Sequence, residues 1–177
     1  IVQCLVGSEM CIRDRLMESR YKEAVSVLNQ GIKKFKGDVK LLFQRAMSLE
    51  KIGDWEKSKK DLLKIIELSP DFADAYNFLG YTMVDRGEDL KKGLELLEKA
   101  NELKPSQGYI LDSLGWAHFK LGDLQKAMTL IYRAHRLQKD EPTILEHLGH
   151  VFFEIKNKRK ARYYFQKSLD LLRSYDP

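Results

Sequence analysis

Apolar side chains recur every three or four residues along most of the chain, with Lys and Glu filling the positions between them. This spacing is typical of amphipathic helices, whereas the alternating runs that predict strands are absent from the sequence. Gly53, Gly87 and Gly122 are placed to end one helix with a left-handed residue. Pro70 and Pro105 are placed to end the helix that follows. The pattern therefore predicts an all-α chain of short helix pairs.

Composition narrows the class of protein. The 177 residues are 44% apolar and 32% charged, with a formal net charge of +5. That length allows one domain with a sizeable buried core. No apolar run approaches the ~18 residues that a membrane-spanning helix needs, so no membrane span is expected in this segment.

The helix pairs repeat with a period close to 34 residues. Aligning the chain on the turn glycines divides it into five segments. The first, 16–38, is the second helix of a truncated unit. Four units follow, at 39–72, 73–107 with a one-residue insertion, 108–141, and 142–177 with the C-terminal end. The later units carry Leu-Gly at the seventh and eighth positions, where a small residue lets two helix axes approach closely. The first full unit departs from this, with Arg45-Ala46 at those positions.

This period and pattern resemble the tetratricopeptide repeat. The resemblance implies a right-handed α-solenoid of antiparallel helix pairs, in which the first helix of each unit lines a concave face that binds a protein or peptide. The run from Gly80 to His150, GYTMVDRG…YILDSLGWAHFKLG…EHLGH, is similar to bacterial members of the family. It implies a bacterial parent and a periplasmic or outer-membrane-associated location, with the cytoplasm open as an alternative.

The segment 1–15 is set apart. Residues 4–15, CLVGSEMCIRDR, match the translation of a transposon-type sequencing adapter, so we interpret 1–15 as non-native and leave it out of functional reasoning. This interpretation is preferred to a lipoprotein signal at Cys4, because the apolar stretch is short and no basic residues precede it. Cys4 and Cys11 both lie in this segment, so no disulfide, thiol nucleophile or zinc site is expected.

The resemblance also places a binding strip. The fifth and ninth positions of the first helix in three successive units are expected on the concave face, and they hold Asn77, Tyr81, Asp112, Trp116, Glu146 and His150. Aromatic rings combined with acidic and amide groups suit an extended or helical partner segment that carries apolar or basic side chains. Trp116 is the expected anchor. The alternative is that Trp116 packs in the core.

Other chemistry is weakly supported. His147 and His150 lie three residues apart beside Glu146, but two histidines without a third ligand are a weak metal signal, and His147 is expected to be partly exposed. The sequence contains no phosphate-binding glycine loop and no evident nucleophile with its base. We therefore predict a non-catalytic binding scaffold without cofactor or metal.

Two other functions stay open. The repeats could be the non-catalytic arm of a larger enzyme such as a glycosyltransferase. They could also bind RNA, although an acidic stretch over 71–115 interrupts the basic residues, and no nucleic-acid partner is expected.

The last helix is rich in apolar side chains, among them Tyr163, Leu169 and Leu172. Repeat arrays need a polar terminal face. The sequence therefore predicts either a chain that continues beyond Pro177 or self-association through the C-terminal helix.

Overall fold

The computed structural model describes residues 20–175. The proposed adapter segment 1–15 lies outside that range. Over the described range the chain forms helices and no strand: α1 (Tyr21–Lys34), α2 (Val39–Lys51), α3 (Trp55–Leu68), α4 (Ala73–Asp85), α5 (Leu90–Leu103), α6 (Gly108–Lys120), α7 (Leu124–Leu137), α8 (Pro142–Glu154) and α9 (Lys158–Tyr175). None of these helices is both long and apolar enough to span a membrane.

The described residues fall into two compact units, divided after Ala75. In the first unit α2 packs against both α1 and α3. In the second unit α6 packs against α5 and α7, and α8 packs against α7 and α9. Because short turns join helices of 13 or more residues that pack together, consecutive helices run antiparallel.

The turn inside each helix pair ends the first helix with a left-handed residue, as predicted. Gly53, Gly87 and Gly122 have φ of 82°, 69° and 85°, and Lys156 takes the same place in the last pair with φ of 61°. In all four turns the next amide donates to the carbonyl five residues earlier, at 2.8–3.0 Å. This is the hydrogen bond that satisfies an otherwise unpaired carbonyl at a helix C-terminus.

Close approach of the paired helices explains the small residues. A Cβ on Gly80 would lie 2.8 Å from the carbonyl oxygen of Gly93, which is too close for a side chain. The two helices can therefore approach to their present distance because residue 80 is a glycine. In the repeat at 39–72, Ser58 Oγ donates to the Ala46 carbonyl at 2.7 Å. In the repeat at 108–141, a Cβ placed on Gly115 would lie 2.5 Å from the Ile131 side chain. Gly115 therefore faces Ile131 rather than the small residue expected from the pattern.

Arg45, which breaks the repeat pattern, lies in a polar network between three helices. Its Nε and Nη2 each donate to the Asp61 carboxylate at 2.7 Å, and its Nη1 donates to Asn29 Oδ1 at 2.7 Å. The Asp61 side chain is only 9% exposed. The pair therefore replaces an apolar contact between α2 and α3 with a bidentate ion pair.

Candidate functional site

The six residues predicted to bind a partner lie on three helices of the second compact unit. α4 carries Asn77 and Tyr81, α6 carries Asp112 and Trp116, and α8 carries Glu146 and His150. We call these six residues the helix-A strip. Their exposure differs widely, which divides the strip into a buried part and an open part.

Trp116 belongs to the buried part. Trp116 is only 7% exposed, so the expectation that its ring is open to a partner is wrong. One cause is His147 on α8, whose ring stacks on the indole with centroids 4.1 Å apart and planes 12° apart. The Phe119 ring also stacks on it, at 4.8 Å. Trp116 Nε1 donates to Asp85 Oδ1 at 3.3 Å, so the polar edge of the ring is also satisfied.

Asp112, a member of the strip, forms a buried pair with His147. Their side chains are 6% and 5% exposed, and Asp112 Oδ2 lies 2.8 Å from His147 Nδ1. The expectation that His147 is partly exposed is therefore wrong, because α8 packs against α6 and carries this side chain into the contact. The second oxygen, Asp112 Oδ1, is buried and has no hydrogen-bond partner.

Glu146 and His150 form the open part of the strip. Their side chains are 56% and 43% exposed, and His150 Nε2 lies 3.9 Å from Glu146 Oε1. The His150 ring packs edge-on against Phe165, with centroids 5.1 Å apart. Burial lowers the pKa of His150 below its usual value, while the Glu146 carboxylate opposes that shift. His150 therefore offers an uncharged imidazole at neutral pH, which can donate and accept hydrogen bonds.

α4 contributes the remaining two residues, both partly buried. The Tyr81 ring centroid lies 6.2 Å from that of His147, so it borders the buried aromatic cluster. Asn77 Oδ1 is buried and, like Asp112 Oδ1, has no hydrogen-bond partner. The strip therefore presents hydrogen-bond acceptors next to aromatic rings.

The structure adds Asp85, Phe119 and His147 to the residues that sequence reasoning assigned to this region. Phe119 lies three residues after Trp116, a spacing that places two side chains on one face of a helix. That signal was available in the sequence. The partnership of Trp116 with His147 was not, because it depends on how α8 packs against α6.

The arrangement offers surface recognition rather than acid–base or metal chemistry. Between residues 20 and 175 no group of three or more His, Cys, Asp or Glu side chains is placed to hold a metal ion. The features that the strip does offer are an aromatic cluster, an exposed carboxylate and unsatisfied acceptors. These are groups that recognise N–H donors and apolar side chains of another molecule.

Comparison with solved structures defines the fold. The chain resembles TTC0263, a thermophilic TPR protein of Thermus thermophilus, with a TM-score of 0.80 at 20% identity, covering 93% of both chains. It also resembles PilW, described as a type IV pilus biogenesis factor, with a TM-score of 0.80 at 17% identity, covering 92% of this chain and 75% of the other. The fold is an all-α helical-repeat solenoid.

The family follows from two sequence matches. The tetratricopeptide repeat family model matches residues 40–71. A TPR repeat-containing protein of Pseudomonas aeruginosa, PA4667, is 39% identical over 101 residues, which is 57% of this chain and 17% of that protein. Residues 40–71 match a tetratricopeptide repeat, and both matches support a tetratricopeptide-repeat protein. The family match falls on the first full unit, despite its Arg45. Proteins of this kind are generally non-enzymatic, and the fold fits a protein-interaction scaffold.

Proposed function

We propose that the helix-A strip binds an extended or helical segment of a partner protein that presents Lys or Arg beside apolar side chains. Glu146 and His150 form the first contact because they are the most exposed members of the strip. Trp116 has a different role from the one expected for it. It is a rigid support that holds neighbouring rings in place, rather than the anchor itself.

The unsatisfied acceptors carry this proposal. Leaving a buried polar atom without a hydrogen bond costs about 1–3 kcal/mol, and a native fold contains few such atoms. Asp112 Oδ1 and Asn77 Oδ1 are two of them on one strip. A partner would satisfy both oxygens where its binding brings N–H donors to them. The exposed carboxylate of Glu146 favours positively charged donors.

A peptide array tests the proposal directly. The probes are immobilised 15-residue peptides in three sets, rich in Lys and Leu, rich in Glu and Leu, or uncharged. We expect the protein to be retained on the basic set, with retention falling as salt rises because the contacts are partly screened. Replacing Glu146→Gln and His150→Ala together should weaken binding about tenfold.

Glu98→Gln is the matched control, because it removes one exposed carboxylate from α5, away from the strip. It should bind the basic set as the unmodified protein does. Equal retention on the acidic set, or an equal loss with Glu98→Gln, would show that the strip does not select the partner.

We infer further that the partner belongs to a bacterial envelope assembly. PilW, which shares this fold, is described as a type IV pilus biogenesis factor. The support from PilW is limited to fold, since the two chains are 17% identical. Fractionation of cells that produce the protein tests this part: recovery with periplasmic or envelope fractions supports it, and recovery with the cytosol opposes it.

We also propose self-association through the C-terminal helix. Leu169 and Leu172 are 48% and 51% exposed, and they lie one turn apart on α9. A second copy that covers them would remove apolar surface from water. Sedimentation velocity over a concentration series should show dimers that Leu169→Ser with Leu172→Ser abolishes. A monomer at every concentration would contradict this.

A further inference from the structure

The start of α9 carries an uncompensated positive charge that the other units lack. Residues 153–162 contain five basic side chains and one acidic side chain. In the earlier units the Lys at the equivalent helix position forms an ion pair, as Lys57 does with Asp54 at 2.6 Å and Lys126 does with Asp123 at 3.6 Å. In the last unit Asn157 replaces that aspartate, and the Lys160 ammonium lies 4.9 Å from the centre of the Phe152 ring instead of beside a carboxylate.

The same contrast holds for the neighbouring cations. We call Lys156, Lys158, Arg159, Lys160 and Arg162 the basic face of α9; all five are exposed. Across residues 20–175 no ion pair involves any member of this basic face. Elsewhere on the chain, surface lysines such as Lys64, Lys92 and Lys99 lie within 3.0 Å of a glutamate three residues ahead.

Apart from the contact of Lys160 with Phe152, these cations are electrostatically unfavourable for α9. Lys158, Arg159 and Lys160 occupy the first turn of α9, which contains no acidic residue. The N-terminus of a helix carries a partial positive charge and is destabilised by cations. Lys158 and Arg162 also lie four residues apart, a spacing at which like charges repel. Charges that oppose the fold point to an external anion.

Apolar side chains accompany the cations. Tyr163 is 61% exposed on α9, and Ile155 is 44% exposed in the turn before it. At the position of Tyr163 the earlier units have the polar residues Lys60, Glu95 and Thr129. At 100° per residue, Arg159, Arg162 and Tyr163 lie within about 100° of one another around the helix. Leu169, seven residues after Arg162, lies about 20° from it around the helix, whereas Leu172 lies about 180° from Tyr163.

We propose that the basic face of α9 docks this protein onto an anionic lipid bilayer. Basic side chains are attracted to the negative surface potential of such a membrane. Tyr is an amphipathic side chain suited to the headgroup region, and an aliphatic residue such as Ile155 enters the boundary between headgroups and acyl chains. An aliphatic side chain offers no stacking surface to a nucleic-acid base, so the combination favours lipid over RNA. The proposal is independent of the helix-A strip.

Vesicle flotation tests the proposal with the whole chain. The probes are vesicles of pure phosphatidylcholine and vesicles in which about a third of the lipid is phosphatidylglycerol. We expect binding to the anionic vesicles only. Each cation near such a surface contributes about fivefold in affinity, so Arg159→Gln with Lys160→Gln should weaken binding about 25-fold. Tyr163→Ser should weaken binding without any change in charge.

The chain offers a matched control. Lys91 and Lys92 occupy the same positions on α5 that Arg159 and Lys160 occupy on α9, so Lys91→Gln with Lys92→Gln removes the same charge elsewhere. This control should bind within about twofold of the unmodified protein. Removing cations from a helix N-terminus is favourable, whereas Lys160→Gln also removes the contact with Phe152, so Arg159→Gln with Lys160→Gln should melt within about 2 °C of the normal temperature.

Three results would overturn the proposal. The first is equal binding to both kinds of vesicle. The second is an equal loss of binding in the two double variants, which would mean that overall charge alone acts. The third comes from competition, in which a 20-nucleotide RNA or soluble phosphatidylglycerol micelles are added to release the protein from vesicles. Release by the RNA at the lower concentration would identify a nucleic-acid partner. Selective binding with the predicted order of variants supports it.

Discussion

The carboxylate of Asp112 on α6 and the imidazole of His147 on α8 meet at 2.8 Å with both side chains at least 94% buried. The pair fixes α8 against α6 and positions His147 beneath the indole of Trp116. Removing one partner of a buried, hydrogen-bonded pair leaves the other without compensation. The pair is therefore a positioning element for the helix-A strip as well as a packing contact.

Replacing His147→Ala should lower the free energy of unfolding by about 3 kcal/mol, because Asp112 loses its one hydrogen bond and Trp116 loses a stacked ring. Urea unfolding followed by circular dichroism measures this change. His150→Ala is the control, since His150 is 43% exposed and its loss should cost under about 1 kcal/mol. Equal losses in the two variants would contradict the structural role of the buried pair.

The contact between Arg45 and Asp61 gives a second prediction. In the third pair of helices the equivalent positions hold Leu114 and Leu130. Arg45→Leu alone should destabilise the protein by about 3 kcal/mol, because it strands a buried carboxylate. Arg45→Leu combined with Asp61→Leu creates the same pair of leucines that the third pair of helices has. The double variant should be as stable as the unmodified protein or more stable.

A double-mutant cycle from chemical unfolding measures the coupling between these two residues. Substituting Leu114→Ala provides a comparison with a purely apolar contact. If the two single losses simply add in the double variant, the ion pair does not act as a unit.

These residues also show how far the sequence could predict the molecule. The turn glycines and Pro70 act through local backbone physics, so the helix ends follow from the sequence: α3 ends at Leu68, two residues before the proline. Arg45 was visible as a departure from the repeat. Its partner was also visible in principle, because Asp61 breaks the apolar pattern at a position that faces it.

The candidate site was less predictable. The repeat register assigns Trp116 and Asp112 to the strip-bearing face of α6, but a residue on that face can point to solvent or to the following helix. Which of these occurs depends on the side chains that α8 brings, here His147. Tertiary packing of this kind has no local signal in the sequence, so the burial of Trp116 could not be predicted.

The histidines predict how stability changes with pH. Burial lowers the pKa of His118, His135 and His150 below the ordinary value of 6.5. Each therefore takes up a proton more readily in the unfolded chain, so its contribution to stability is present above about pH 6.5 and is lost as the pH falls below that value. The thermal midpoint should decrease between about pH 7.5 and pH 5.5.

Replacing these three histidines with Gln together should flatten that dependence. The carboxylates of Asp54 and Asp71 do not interfere, because their pKa values are lowered from 3.8 and their effect belongs to more acidic solutions. A triple variant with an unchanged slope between the two pH values would show that other groups control it.

Lys156 provides the last prediction, because it occupies the backbone conformation that Gly53, Gly87 and Gly122 adopt in the other pairs. A left-handed conformation costs an L-residue with a side chain about 1–2 kcal/mol, and glycine avoids that cost while gaining freedom in the unfolded chain. Lys156→Gly should therefore stabilise the protein by about 0.5–1 kcal/mol and raise the thermal midpoint by about 1–4 °C. Gly122→Lys is the reciprocal control; nothing lies within 4 Å of its added Cβ, so it tests the backbone alone and should lower the midpoint. The two substitutions should shift the midpoint in opposite directions, and a shift in the same direction would refute the assignment of strain to Lys156. Because Lys156 also belongs to the basic face of α9, the stabilised variant should bind anionic vesicles about fivefold more weakly, separating stability from the proposed docking.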